Sequence, residues 1–497
     1  MSHYTKLLFV FAIFATLLVA PATGEEKVTS EEKKPAYKPT EDYLRLHYHG
    51  WKIFLDPDLP EKKPEIYKET MRVLHRKLDE INTLVPSGSV KKIQTLPIWV
   101  EHSSDKTLCM CYHVSREWLK ENGFNPDKAK SVELSNPETF LDWIKLQPTM
   151  VLHEYAHGYH DVFLGGYDNP EIAKCYEAAV KSKKYEKVFH SQGGHRRAYA
   201  LNNSQEYFAE ATEALFGRND FYPFCKPELM KHDPELFKVL QECWNRYQTK
   251  EEIELQKKLA AERAAEYKRF AGNHRGAHRD GEKCTAFLPT MEYYKENYRG
   301  WLLYVHPAYY EPHGEDNASL RMAKQKLDEI IFLLPKTAVD KLRKVPIWFD
   351  FGDHPRAGGA CFHPSRGWLV SNKFNPDKTD CVEFGKLIGL PESTRRQPMV
   401  MLHELAHGYH DTAFPGGYGS SQFREIYKNA MDKGLYQKVL FYSGKEVKAY
   451  GATNDKEYFA ELSEAYFGLN DFYPFNRAEL KEYDPEGYKF IEKAWGK

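Results

Sequence analysis

The chain has 497 residues, enough for two or three ordinary domains, and sets 70 Lys and Arg against 71 Asp and Glu for a formal net charge of -1. That balance leaves no basic excess to hold a phosphate backbone, so no nucleic-acid partner is expected. A composition 42% hydrophobic, 14% aromatic and 28% charged excludes a wholly disordered chain, a collagen and a multi-span membrane protein, and leaves 21 His and 33 Tyr as a surplus of metal ligands and phenols to be accounted for.

In chain order, Lys6 precedes an apolar run from Leu7 to Ala20, and the small residues Ala22 and Gly24 stand where a signal peptidase reads. Residues 1–24 therefore read as a secretory signal; the run is too short to span a membrane, and no stable membrane insertion is expected of the mature, extracellular chain. Residues 25–40, charged and Pro-bearing, read as a flexible arm. Secretion makes the eight Cys potential disulfide partners, with Cys361–Cys381 and Cys225–Cys243 the first pairs to test. Asn202 and Asn317 open N-x-S sequons.

The next blocks return in the same order half a chain later. Gly50-Trp51 recurs as Gly300-Trp301, KLDEI at Lys77 to Ile81 as Lys326 to Ile330, and Pro97-Ile98-Trp99 as Pro346-Ile347-Trp348. FNPDK at Phe124 recurs at Phe374, and NDFYPF at Asn219 recurs at Asn470. A period of about 250 residues is a whole domain, not a solenoid unit, so residues 41–247 and 291–497 are two homologous domains. Between them, residues 248–290 hold an Ala-, Glu-, Lys- and Arg-rich stretch that reads as a solvated linker helix followed by loop. Each domain opens on short β-favouring segments (Trp51 to Leu55, Ile98 to Val100, Cys111 to His113 and their copies) and continues into helices, an α+β order with a small, mostly antiparallel sheet expected.

Gln147-Pro148 and Gln397-Pro398 open the decisive segments, Pro suiting a first helical turn. MVLHEYAHGYHD (Met150 to Asp161) and VMLHELAHGYHD (Val400 to Asp411) both contain HExxH. On a helix, His153 and His157, like His403 and His407, lie one turn apart on one face, where both imidazoles converge on one zinc; Glu154 or Glu404 then serves a water at the same metal as general base. A catalytic zinc needs a third protein ligand. His160 and His410 stand about 10 Å along the axis from the first His, too far for a rigid helix, and read as packing or orienting residues. Asp161 and Asp411 read as acids that support a ligand or as solvated helix ends. Better ligand candidates lie some 50 residues on, where Glu206, Glu210 and Glu213, matched by Glu457, Glu461 and Glu464, punctuate an apolar helical run.

HExxH, then a Tyr, a short spacer and EYFAE together resemble the zinc-peptidase domain of anthrax lethal factor and its relatives. The resemblance covers the C-terminal half of each domain and implies a zincin-like, gluzincin-type fold. It implies zinc ligands His153, His157 and Glu206 in one domain and His403, His407 and Glu457 in the other, with one Zn2+ per domain and two per chain. It also implies that Tyr199 and Tyr450 steady a developing oxyanion. SRxWL at Ser115 to Leu119 and Ser365 to Leu369 is not part of that pattern.

The expected function is a secreted zinc metallopeptidase acting on a peptide or protein substrate. The alternative is a zinc-stabilised binding or structural protein with one or both clefts non-catalytic. His113 and His363, in Cys-Tyr-His and Cys-Phe-His, either line the cleft or are hydrogen-bonded structural residues; His190 and His195 have no counterpart in the second domain. Gly451 for Ala200 and Leu469 for Arg218 are read as differences around the two clefts that alter specificity.

Overall fold

The computed structural model describes residues 37–250, 254, 258, 287–310, 317–352, 354 and 358–496; the signal, most of the arm and nearly all of the linker lie outside the described residues. Among the described residues no helix is long and apolar enough to cross a membrane.

The chain is α+β in two similar halves. In the first, β1 (Leu44–Tyr48) and β2 (Trp51–Leu55) form a hairpin, and β2 alternates as WKIFL requires, with Trp51, Ile53 and Leu55 buried and Lys52 exposed. Helix α1 (Pro64–Leu84) opens on Pro at its first position and buries Met71, Leu74, Leu78 and Ile81, the three- and four-residue spacing of one helical face. Its crossover lays β3 (Ile98–Val100) parallel to β2; β4 (Met110–His113) and β5 (Ser131–Leu134) complete a sheet of order β1-β2-β3-β5-β4. Pairing is antiparallel at β1/β2 and β4/β5 and parallel at β2/β3 and β3/β5. The sheet is thus mixed and not mostly antiparallel, because helical crossovers, which the short β segments do not announce, return the chain in the same direction.

Of the other helices in this half, three frame the site: α2 (Met150–Phe163), α3 (Ser204–Phe216) and α4 (Pro234–Asn245). The second half repeats these elements as β6 (Tyr294–Tyr298), β7 (Trp301–Val305), α5 (Ala318–Leu333), β8 (Ile347–Phe349), β9 (Ala360–Phe362), β10 (Val382–Phe384), α6 (Val400–Thr412), α7 (Asp455–Phe467) and α8 (Pro485–Ala494). Its sheet has the equivalent order β6-β7-β8-β10-β9. Asn317, of the second sequon, caps α5 by accepting from the backbone of Ser319 and Leu320.

Helix α2 is buried along most of its length, between the sheet and α3. Gly158 permits that approach: a Cβ there would stand 2.6 Å from Leu96 Cδ1 and 2.9 Å from Tyr112, and at Gly408 3.0 Å from Val345. Tyr159 stacks on Trp244 of α4 at 4.2 Å, and Tyr409 on Trp495 at 4.1 Å, so part of the Tyr surplus is core packing. Pro148 and Pro398 lie two residues ahead of α2 and α6, not in their first turns, because Thr149 and Met399 are the N-cap residues.

The expected disulfides are not formed: Cys225, Cys243, Cys361 and Cys381 are free. Cys361 Sγ is 3.4 Å from His363 Nε2, Cys381 Sγ meets the Thr379 carbonyl at 3.3 Å, and Cys225 Sγ meets Glu228 at 3.8 Å, so these sulfurs are directed to other partners.

The halves pack reciprocally. Arg72 reaches Asp328 at 3.3 Å, and its counterpart Arg321 reaches Asp79, the counterpart of Asp328, at 3.4 Å. Each half thus offers the other the same surface of α1 or α5, as in an isologous dimer built into one chain.

Candidate metal centre

Two local structures deliver the site. In α2 the i, i+4 spacing sets His153 and His157 on one face. In α3, Asn203 caps the helix by accepting from the Glu206 backbone N–H at 2.8 Å, which fixes the first turn where Glu206 stands; Asn454 does the same for Glu457 at 3.0 Å. Tyr207, next to Glu206, is bonded to Asp233, and Tyr458 to Asp484, anchoring the helices from the opposite side.

The structure brings the six sequence-identified ligand candidates together in two clusters. His153 Nε2 lies 3.1 Å from His157 Nε2 and 3.2 Å from Glu206 Oε2, and His157 Nε2 lies 3.4 Å from the same oxygen. His403 and His407 each place Nε2 3.2 Å from Glu457 Oε2. Two imidazole nitrogens and a carboxylate oxygen are the donor set of catalytic zinc, and a tetrahedral ion with bonds of about 2.0–2.1 Å holds its ligand atoms about 3.3 Å apart. The residues present fit zinc.

Outside each triangle stands an acid whose part the sequence did not distinguish. Glu213 Oε1 lies 2.7 Å from His153 Nδ1, and Glu464 Oε1 lies 2.5 Å from His403 Nδ1. A carboxylate there takes the Nδ1 proton and leaves Nε2 with its lone pair turned to the centre. Burial disfavours the charged form of His153, but the hydrogen bonds to Glu206 and Glu213 hold its pKa well above the ordinary value. Burial likewise works against ionised Glu457, yet His403 and His407 pull it down to about 2. Glu210 and Glu461, the middle acids of the three, are buried and driven upward by burial and the nearby acids Asp220 and Asp471.

Glu154 and Glu404 are 7% and 8% exposed, one residue after the first His of each cluster. The Tyr199 hydroxyl is 3.4 Å from Glu206 Oε1; burial and that carboxylate push its pKa up, so it stays a donor. Tyr450, 49% exposed, places its ring 6.3 Å from that of His403. His160 and His410 are packing residues: burial lowers them to about 4 and about 3, and they sit among Tyr167 and Phe208 or Tyr418 and Phe459. Asp161 accepts from Tyr112 at 2.8 Å and from Lys130 at 2.5 Å. His190 stands beside Phe221 and 3.7 Å from Asp220, and His195 is in a small outer hairpin.

His113 and His363 belong to another network. His113 Nε2 meets Glu133 at 2.6 Å, and Lys128 meets the same oxygen at 3.0 Å and Glu101 at 2.7 Å; His363, Glu383, Lys378 and Asp350 repeat the arrangement. The repeated Lys of FNPDK and the acids of SVEL and CVEF were the sequence signal for it. Burial opposes ionised Glu133, but His113 and Lys128 hold its pKa down at about 2. A folded pKa below the unfolded one gives stability that is present above the unfolded value and lost as pH falls through the folded one. Unfolding free energy is therefore expected to drop by about 3 kcal/mol from this group between roughly pH 4.5 and 2. Urea titrations across that window check it: Glu133→Gln should flatten the slope, and an unchanged slope would remove Glu133 as its source.

No protein-family model matches the chain, and no curated protein does. Among solved structures, the Pro-Pro endopeptidase PPEP-2 from Paenibacillus alvei is similar over 40% of this chain and 99% of that one, at 19% identity and a TM-score of 0.23.

Proposed function

We propose that this chain is a secreted tandem zinc metallopeptidase, with one peptide-hydrolysing centre in each half. The observation that carries the reading is the twofold recurrence of a His-His-Glu triangle of zinc dimensions beside a buried glutamate on the same helix. Secretion rests on the sequence of residues 1–24. The proposed ligands are His153, His157 and Glu206, and His403, His407 and Glu457.

A bound zinc supplies Lewis acidity, which acidifies water and polarises the scissile carbonyl. The chain does the rest. Glu154 or Glu404 accepts the proton of the attacking water and hands it to the leaving amine. The hydroxyl of Tyr199 or Tyr450 donates to the oxygen on which negative charge develops. Strand β4, and β9 in the second half, is the edge of its sheet and packs against the metal-site helix, leaving a row of backbone groups for an extended peptide.

The direct test measures zinc in the purified chain and hydrolysis of a peptide library before chelation, after it, and after zinc is returned. Two zinc per chain with activity that follows the metal is expected; two zinc with no cleavage of any peptide would leave a zinc-stabilised binder. Tyr199→Phe with Tyr450→Phe is expected to lower kcat/KM about 10²–10³-fold with zinc content unchanged. Unaltered kinetics would dismiss the phenols from the reaction.

A further inference from the structure

A cavity of about 210 Å³ lies where the two halves meet, on the reciprocal surface of α1 and α5. Many of its walls come in repeat-related pairs: Leu84 with Leu333, Phe216 with Phe467, and Lys77 with Lys326. Met322 and Phe332 add apolar surface. The ends of α3 and α7 and the residues just before α2 and α6 also line it, so an occupant touches the helices that carry both candidate metal centres.

The charges are not paired off. Lys77 meets Glu80 at 2.7 Å and Lys326 meets Glu329 at 2.8 Å, which engages the glutamate of each KLDEI copy, while Asp79 and Asp328 are engaged by Arg321 and Arg72. Arg76 and Arg218 are additional, and each has a neutral counterpart in the repeat, Gln325 and Leu469. Arg218 was expected to distinguish the metal clefts; it faces this cavity instead, and its Nη1 donates to the Gly468 carbonyl at 2.9 Å and its Nη2 to the Lys145 carbonyl at 3.4 Å. Arg76 is 4% exposed, its guanidinium lies over Phe332 at 5.5 Å, and its Nε is 3.7 Å from Glu80 with no hydrogen-bond partner. Arg218 Nε is likewise buried and unpartnered. Buried guanidinium N–H groups without acceptors are costly, and the lining carries more Lys and Arg, among them Lys145, Arg395 and Arg396, than acids, which are Asp79, Glu80 and Glu329, so positive charge is in excess around the space.

We infer that this cavity binds one small amphiphilic anion, a carboxylate or phosphate monoester on an apolar body, with its head on Arg76 and Arg218 and its body between the paired Leu and Phe walls. The volume is that of roughly seven liquid waters, which suits a medium alkyl or aryl chain and excludes a folded peptide. The oxygens of such a head group accept from the Nε donors of Arg76 and Arg218 that the protein leaves open.

Calorimetric titration of the full zinc-loaded chain with decanoate, decyl phosphate, decanol and inorganic phosphate separates head from body. One site per chain is expected for the first two, with decanol and phosphate each at least about tenfold weaker. Arg76→Met, and Arg218→Leu, which installs the residue of the second repeat, are each expected to weaken decanoate about tenfold or more and leave decanol unchanged. A diazirine-tagged decanoate should crosslink to α1, α5 or the Phe216 and Phe467 segments, a readout that needs no variant to fold. Decanol binding as tightly as decanoate, crosslinks outside these segments, or no binding of any probe by about 1 mM would overturn the assignment.

Discussion

Peptide hydrolysis by the chain carrying both Glu154→Gln and Glu404→Gln is expected to fall about 10²–10⁴-fold, with two zinc per chain retained. Gln keeps the size of Glu and fits the same buried position, but it cannot accept the water proton. Neither glutamate is in the ligand triangles, so metal content is the control that separates lost chemistry from a lost site. On the proposed reading the two centres act in separate halves, so their rates add. Each single variant should therefore remove only its own half's share, and a single change that abolishes all cleavage would mark the other half as silent on that substrate. Zinc lost together with activity would instead make the glutamate a structural prop of the centre.

The parts of this site that are local in sequence were legible. HExxH states the facing of two imidazoles outright, because four residues is one helical turn. The repeat in register fixed the two-half organisation and the α+β class. Spacing alone did not divide the labour among Glu206, Glu210 and Glu213, since intervals of four and three put all of them on one face of α3; the resemblance to the lethal factor peptidase domain singled out Glu206 but gave no part to the other two. Only packing against α2 sends Glu206 to Nε2 of His153, Glu213 to Nδ1, and Glu210 into the buried interior. Parallel strand pairing, the free thiols and the cavity around Arg218 share one cause of illegibility: each depends on residues far apart in the chain. The reciprocal Arg72–Asp328 and Arg321–Asp79 contacts are of the same kind, their partners being invisible until the halves meet.

Glu213→Gln and Glu464→Gln are expected to weaken zinc binding about 10–100-fold at their own centres, measured by competition with a chromophoric chelator. The amide keeps an acceptor for the Nδ1 proton and removes the negative charge that makes the imidazole a better donor through Nε2. Burial, with Asp220 nearby, pushes the Glu213 pKa up to about 7, and the His153 ring it orients works the other way, favouring the ionised carboxylate. The Glu464 carboxylate is positioned by a second donor as well, since Gln397 Nε2 donates to its Oε1 at 2.8 Å. Its replacement takes the charge from two hydrogen bonds on one oxygen and should give the larger loss. At saturating zinc both variants should recover most of their hydrolysis, since Glu154, Glu404 and the tyrosines are untouched. Affinity equal to wild type in both would mean that packing alone orients His153 and His403, and that the second helix supplies a ligand but no tuning of its neighbours.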